Sequence, residues 1–280
     1  MKTITSQDNK IFKLCIQLAQ KKYRDRLGLY IAEGEKIVRE AIAAGCVNTV
    51  VMREGLDIDL AVHAGQACGT SPNEPRIPED TAFVFLSGNL FSRIAQTETS
   101  QGILAIVSKP QLDKRAFLKA ISGPKNHVVV LDRLQDPGNI GTIIRTADAA
   151  GYAGIIVMKG SGDIFSPKVI RAAAGSLLRL PVYLASSEEE ALSILNEAGK
   201  VLVGTIPESG VAYNRVDWTR GSAILIGNEG NGLSETFKAA TNINVNIPMN
   251  KEVDSLNAAV AAGILIYESI KERETACRIS

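Results

Sequence analysis

Three stretches of this chain pair charge-positioning side chains with backbone that can approach a ligand closely. They are Leu131-Asp-Arg-Leu-Gln-Asp-Pro-Gly-Asn-Ile-Gly-Thr-Ile-Ile-Arg145, Ile226-Gly-Asn-Glu-Gly-Asn-Gly-Leu233 and Ile247-Pro-Met-Asn-Lys-Glu-Val-Asp-Ser-Leu-Asn257. Each is an apolar strand that stops at a polar loop rich in Gly or Asn, and three such loops in one domain imply one composite site. The first strand is not followed by G-x-G-x-x-G, and no G-x-x-x-x-G-K-S/T occurs, which disfavours a dinucleotide fold and a P-loop nucleotidase. With only two histidines, His63 and His127, a Ser-His-Asp or Cys-His arrangement is not credible, and Glu229 has no matched carboxylate in these loops. What remains is Arg145, Glu229, Ser255, Asn139 and Asn257 around glycine-rich backbone. Such groups orient a substrate and stabilise charge rather than attack, so they suit an electrophile already activated by a cofactor.

Each of these residues also has a structural reading. Asn139 is a favoured N-cap for a helix starting at Ile140, and Ser255 for the last helix. Gly227-Asn-Glu-Gly-Asn-Gly232 reads equally as a strand-to-helix turn or as a place where missing Cβ atoms admit a ligand.

The elements that must hold these loops follow from hydrophobic periodicity. Residues Asn9 to Lys22 predict a helix, Leu29–Ala32 a strand, and Glu33-Gly34-Glu35 the opening of a helix closed by Gly45. Val47–Met52, Ala82–Leu86 and Gly102–Val107 predict strands, with helices around Leu60 to Gly65 and from Leu90 to Ala95. This is a small α/β domain over residues 1–108. Residues 109–125, charged and with Pro110 and Pro124, predict a linker with a short helix from Lys114 to Ile121. A larger α/β domain, 126–280, follows. Its strands are expected at His127–Leu131, Gly154–Met158, Pro181–Leu184, Val201–Thr205, Ala223–Gly227 and Ile243–Ile247. Its helices are Ile140–Ala150, Lys168–Ala174, one opened by the Ser187–Glu190 capping box, and Ser255–Lys271. The sheet is expected to be mostly parallel, with the polar loops converging beyond its carboxyl ends.

Composition narrows the class. The chain of 280 residues is 45% hydrophobic, enough for one large domain or two modest ones, and its net charge of +1 gives no general hint of nucleic acid. Residues 1–26, however, hold seven basic side chains (Lys21, Lys22, Arg24 and Arg26 among them) against Asp8 and Asp25. A basic helix there reads as a phosphate-contacting surface or as a solvated one. Lys168 and Arg171, beside Gly160-Ser-Gly-Asp-Ile-Phe-Ser-Pro167, carry the same two readings. The four cysteines are widely spaced, so neither a structural zinc site nor a disulfide framework is expected. The start of the chain lacks a signal-peptide run, and no stretch is long and apolar enough to span a bilayer, which points to the cytoplasm.

Together the three stretches resemble the motifs of the SpoU (TrmH-like) RNA ribose methyltransferases of the SPOUT class. Asn139 and Arg145 have the spacing of the first family motif. Gly227, Glu229, Gly232 and Leu233 match the second, and Ile247-Pro248-Met249 with Ser255-Leu256-Asn257 the third. Residues 29–107, especially Tyr30-Ile-Ala-Glu-Gly-Glu-Lys36, resemble the family's substrate-binding domain.

The resemblance implies a SPOUT domain with a deep trefoil knot and transfer of a methyl group from S-adenosylmethionine to a ribose 2′-OH of RNA. The extra N-terminal domain favours large-subunit (23S) rRNA. It implies cofactor contacts at Gly204, Thr205, Gly227, Gly232, Ile247, Met249, Ser255, Leu256 and Asn257. It assigns Arg145 to the hydroxyl, Asn139 to orienting Arg145 or the ribose, and Glu229 to fixing Arg145 or a substrate hydroxyl. Ser255 and Asn257 would position ribose, cofactor or both. A homodimer without metal is implied, packed through the helix after the first motif and the last helix. Alternatives are a tRNA or resistance-conferring rRNA methyltransferase, a non-catalytic RNA-binding adaptor of the same fold, and a small-molecule methyltransferase, which the basic N-terminal segment disfavours.

Overall fold

A computed structural model describes residues 3–56, 81–110, 112–206, 210–250, 252–253 and 255–277; the helix expected around Leu60 to Gly65 lies outside them. The chain forms two compact units, Met1–Pro110 with Phe165–Leu178, and Gln111–Ile164 with Arg179–Ser280.

In the first unit, the single helix expected from Asn9 to Lys22 is two: α1 (Lys10–Leu18) and α2 (Lys21–Leu27). Asn9 caps α1 by accepting from the amides of Ile11 and Phe12. The break is held by Arg24, whose guanidinium donates to the carbonyls of Leu18 and Ala19 at 2.6 and 2.8 Å. Those carbonyls would otherwise lack partners at a helix end. Arg24 is only 4% exposed, so it ties the chain together and does not offer its charge to a phosphate. Strands β1 (Leu29–Glu33), β2 (Val47–Arg53), β3 (Ala82–Leu86) and β4 (Ile103–Ser108) form a sheet in the order β1-β4-β2-β3. Strand β4 is antiparallel to both neighbours, while β2 and β3 are parallel. Helix α3 (Glu35–Ala43) covers part of the sheet, and α4 (Gly88–Ile94) joins Phe12, Leu18, Val51, Leu86 and Leu104 in the core.

Residues 109–125 do carry the expected helix, α5 (Lys114–Ile121), but it packs rather than tethers. Phe117 and Ile121 are fully buried among Val128, Val130, Ile156 and Ala223 of the second unit.

The second unit is built on seven strands: β5 (Val128–Leu131), β6 (Gly154–Met158), β7 (Val182–Ala185), β8 (Val201–Thr205), β9 (Val211–Ala212), β10 (Ser222–Ile226) and β11 (Ile243–Asn246). Their order is β7-β6-β5-β10-β8-β11-β9, and every pairing among them is parallel. Strands β5, β6 and β10 are buried at every position, as a parallel sheet covered on both faces requires. Helices α6 (Pro137–Ala149), α8 (Glu188–Glu197), α9 (Glu235–Ala240) and α10 (Ala258–Cys277) belong to this unit. Helices α6 and α10 pack together, and Tyr152 shares a buried hydrogen bond of 2.8 Å with Ser269. Helix α7 (Pro167–Ala173), expected with this domain, clusters with the first unit, where Phe165 packs on Tyr30 with ring centroids 5.2 Å apart. No helix among the described residues is long and apolar enough to cross a membrane.

One consequence of the strand order governs the site. Strands β5, β10, β8 and β11 are consecutive across the sheet, so the loops leaving their carboxyl ends adjoin although far apart in the chain. In open parallel sheets that rim is where ligands bind.

Candidate active site

Strand β5 ends at Leu131, and the next side chain, Asp132, is fully buried. Its carboxylate accepts from the Ser234 amide at 2.6 Å and from the Arg133 guanidinium at 2.9 and 3.2 Å. Arg133 adopts φ 57°, a left-handed conformation uncommon for a residue with a Cβ. Its carbonyl accepts from the side-chain amides of Gln135 and Asn228, each at 2.9 Å. The bent backbone at 133 therefore joins the first polar loop to the second.

Helix α6 begins one turn earlier than expected. Asp136 is the N-cap, accepting from the Asn139 amide at 2.8 Å, and Pro137 takes the first helical position. Asn139 thus lies inside the first turn and does not cap the helix. Its side chain is 9% exposed and bridges the other two loops. The Asn139 Oδ1 accepts from Asn257 Nδ2 at 2.8 Å, and Asn139 Nδ2 donates to Glu229 Oε1 at 3.3 Å. Asn257 also caps α10, accepting from the amides of Ala259 and Val260 at 2.9 and 3.2 Å, a role expected of Ser255. One asparagine therefore fixes both the helix entry and the bridge.

Glu229 faces the first loop. It accepts from the amides of Gln135 and Asp136 at 3.2 and 3.0 Å as well as from Asn139. Partial burial, the largest single influence, opposes its ionisation. The amides of Asp136, Glu229 itself and Gln135, with the Asn139 side chain, outweigh it and hold the carboxyl below its ordinary value. The sign of the pH effect follows. A depressed carboxyl pKa contributes stability that is present above the usual glutamate range and lost as pH falls through the lower folded value. A Glu229→Gln variant, which cannot accept from several amides with a full charge, should therefore lose folding stability at neutral pH. Its stability should also fall less than the parent's as pH drops from about 5 to 3, measured by denaturant unfolding across that range. An equal acid dependence in both proteins would remove Glu229 from the linkage.

The loop from Gly227 to Leu233 closes on itself: Asn228 and Gly232 exchange backbone hydrogen bonds of 3.0 and 2.9 Å. A Cβ on Gly227 would lie 2.3 Å from the carbonyl carbon of Gly232, so only glycine allows this closure.

Around these loops lies a cavity of about 590 Å³, well within the range of small-molecule sites. Asn139, Thr205, Gly227, Glu229, Gly232, Ile247, Met249, Ser255, Leu256 and Asn257 line it. Gly204 does not. It is buried in β8, where a Cβ would meet Thr241 Cγ2 at 2.4 Å, so it serves packing beneath the site. The lining also includes Asn228, Lys238 and Leu265, which sequence reasoning missed. Lys238 sits on α9, a helix of six residues, too short to announce itself by a 3.6-residue period. Asp132 had one available signal: a carboxylate directly abutting an unbroken apolar strand. The cavity is apolar on the side of Leu265, Ile247 and Met249, with backbone and amide edges from the loops. It offers no histidine or cysteine, and among the described residues it holds and orients a ligand rather than attacks it.

Arg145 is not brought to this cavity within one chain. It is exposed on α6, six residues past Asn139, about 600° around the helix and thus on another face. Glu229 correspondingly contacts Gln135, Asp136 and Asn139 rather than Arg145. Lys21, Lys22, Arg26, Lys168 and Arg171 are among the side chains of the first unit that reach solvent. Lys22 and Arg26 each lie 4.9 Å from the centre of the Tyr23 ring, and Arg171 donates to the Gln96 carbonyl at 2.9 Å.

Residues 126–267 match the model of the SpoU rRNA Methylase family, and residues 9–105 that of the MRM3-like substrate binding domain. The chain is 33% identical over 271 residues to a 23S rRNA (guanosine(2553)-2′-O)-methyltransferase, RlmP, of Bacillus subtilis, covering 95% of this chain and 98% of that one. It is similar, with TM-score 0.84 and 30% identity over 97% of this chain and 98% of the other, to an AdoMet-bound rRNA methyltransferase from Sinorhizobium meliloti. It is also similar to the SpoU methyltransferase AviRb from Streptomyces viridochromogenes in complex with AdoMet. There the TM-score is 0.81 and the identity 29%, over 95% and 100% of the two chains.

Proposed function

Because the chain belongs to the SpoU rRNA methylase family, we propose that it transfers a methyl group from S-adenosylmethionine to a ribose 2′-hydroxyl of large-subunit ribosomal RNA. The observation that carries this reading is the hydrogen-bonded bridge Asn257–Asn139–Glu229, which draws all three motif loops onto one cavity. The cavity fits the cofactor. It has room for a molecule of that class, an apolar side at Leu265 and Met249, and a glycine at 227 where a side chain would collide with the loop itself. Thr205, Gly227, Gly232, Ile247, Met249 and Leu256 would hold it. The cofactor supplies a methyl group made electrophilic by a positively charged sulfur.

The protein's part is to align the ribose oxygen and to stabilise the charge that grows on it. Asn139, Ser255 and Asn257 are assigned to orientation. Arg145 is assigned to the developing alkoxide and the adjoining phosphate. A guanidinium keeps its proton in proteins, so it acts here as a charge rather than a base. Since Arg145 and the cavity are on different faces of α6, the site is completed by Arg145 of a second copy in a homodimer. The exposed apolar side chains Val260 and Tyr267 on α10, 52% and 50% accessible, support pairing through this helix. The reading includes the trefoil knot of the class. The sheet order, with β10 between β5 and β8, and the return of Asn257 to Asn139 support it. A ribosomal RNA substrate agrees with a cytoplasmic protein.

The test maps ribose methylation in total RNA from cells with and without the gene, alongside calorimetric titration of the protein with S-adenosylmethionine. The expected result is one ribose methylation in large-subunit rRNA that depends on the gene. Cofactor binding with the change in tRNA would redirect the substrate, and absence of cofactor binding would favour a non-catalytic adaptor.

A further inference from the structure

A second concavity, of about 240 Å³, lies in the first unit. It shares no residue with the cofactor cavity and takes up the Tyr30–Lys36 stretch that the cavity leaves unused. Ile37, Ile170 and Ala174 give it an apolar side, and Lys36 and Arg171 line it as two cations. Its one carboxylate is already engaged: Glu33 accepts from the Gln96 amide at 2.5 Å and from Thr97 Oγ1 at 2.8 Å. Arg171 is anchored by a single donation to the Gln96 carbonyl, out of five N–H groups on a guanidinium. Lys36 is exposed.

The rim is preset by glycine. Gly34 has φ 108°, in the left-handed region, and leaves bare backbone at the start of α3. Gln101 Oε1 accepts from the Glu35 amide at 2.8 Å and fixes that edge.

We propose that this concavity binds one unpaired nucleotide of the RNA substrate, other than the one methylated. Its base lies against Ile37, Ile170 and Ala174, and its flanking phosphates lie on Lys36 and Arg171. The inference rests on the reading of the chain as an RNA methyltransferase and adds where the RNA is gripped. Sequence-specific RNA recognition works mainly on unpaired nucleotides whose bases can be splayed out and stacked on aromatic rings or guanidinium planes, and Arg171 lines this concavity. Paired cations beside an apolar wall suit the alternation of phosphate and base. A small concavity with one apolar side also fits a single base better than the broad face of a duplex.

The test uses the full chain with its isoleucine δ-methyl groups isotopically labelled. The probes are the four nucleoside 5′-monophosphates and inorganic phosphate, with binding to purified rRNA measured in parallel. At least one mononucleotide should shift the Ile37 and Ile170 methyl signals, and inorganic phosphate should shift them much less. A Lys36→Glu variant should bind rRNA about tenfold more weakly, with the slope of log affinity against log salt reduced by about one. Its KM for RNA should rise while kcat and cofactor affinity stay at the parent's values. Methyl signals that ignore all four mononucleotides, or a Lys36→Glu variant that binds rRNA as the parent does, would overturn the nucleotide site alone. A parent chain that does not bind rRNA would overturn the RNA reading together with it.

Discussion

An Arg145→Ala variant is expected to lose methyl transfer by about 10²- to 10³-fold, the usual cost of deleting one group that stabilises developing charge. It should titrate S-adenosylmethionine as the parent does, because Arg145 is exposed and does not line the cavity. Fold and cofactor site are thus insulated from the change, which makes single-turnover kinetics at saturating cofactor the decisive measurement. Normal turnover would remove Arg145 from the reaction. An Arg145→Lys variant should recover little, since a point charge on a flexible stem does not reproduce a planar fork that grips two oxygens.

The second large effect is expected at Gly227. Its Cβ would lie 2.3 Å from Gly232 C and 2.4 Å from Leu233 N, both backbone atoms that no rotamer change can move aside. The loop must open, pulling Asn228 off the Arg133 carbonyl and Glu229 off the Gln135 and Asp136 amides. A Gly227→Ala variant should therefore lose cofactor affinity by at least about 100-fold and thermal stability by about 1–3 kcal/mol, the common cost of overpacking. Gly199 provides the control. It has φ 63°, no atom lies within 4 Å of where a Cβ would sit, and it does not line the cavity, so Gly199→Ala should cost only the conformational ~1–2 kcal/mol and keep the parent's binding. Equal binding by the Gly227→Ala variant and the parent would show that this loop does not hold the cofactor.

Crossing the two variants tests where Arg145 acts. In a mixed dimer of Arg145→Ala and Gly227→Ala chains, one chain has an intact cavity and the other an intact arginine. Activity should return on mixing if the arginine serves a neighbouring copy. If it acts within its own chain, neither protomer has a complete site and the mixture stays inactive.

Much of this architecture was legible because its signals are local. The unbroken apolar runs at 128–131, 154–158 and 222–226 announce strands buried on both faces, and α5 is found at the residues its periodicity predicted. Residues 9–27 misled because apolar spacing continues past Leu18; the break depends on Arg24 reaching back to two carbonyls, a tertiary contact that periodicity cannot register. The start of α6 was misplaced by a residue-type argument, since Asn139 and Asp136 are both good caps and only Pro137 at the first helical position distinguishes them. Residues 165–178 follow a strand of one unit and pack in the other, a choice made by Phe165 against Tyr30 that no local pattern encodes. Within the site, loops ending in glycine and asparagine could be seen to converge. The bridge from Asn257 through Asn139 to Glu229 could not, because it depends on which strands lie side by side.

That bridge also bears on biosynthesis. The Asn257–Asn139 hydrogen bond joins residues 118 positions apart, and the sheet pairs β10 with β5, a strand translated about ninety residues before it. Distant pairings of this kind form late, since closing the intervening chain must precede any gain from the contact. A nascent polypeptide still attached to a translating ribosome short of residue 257 has no assembled pocket. The pocket can therefore close only after synthesis has passed that point.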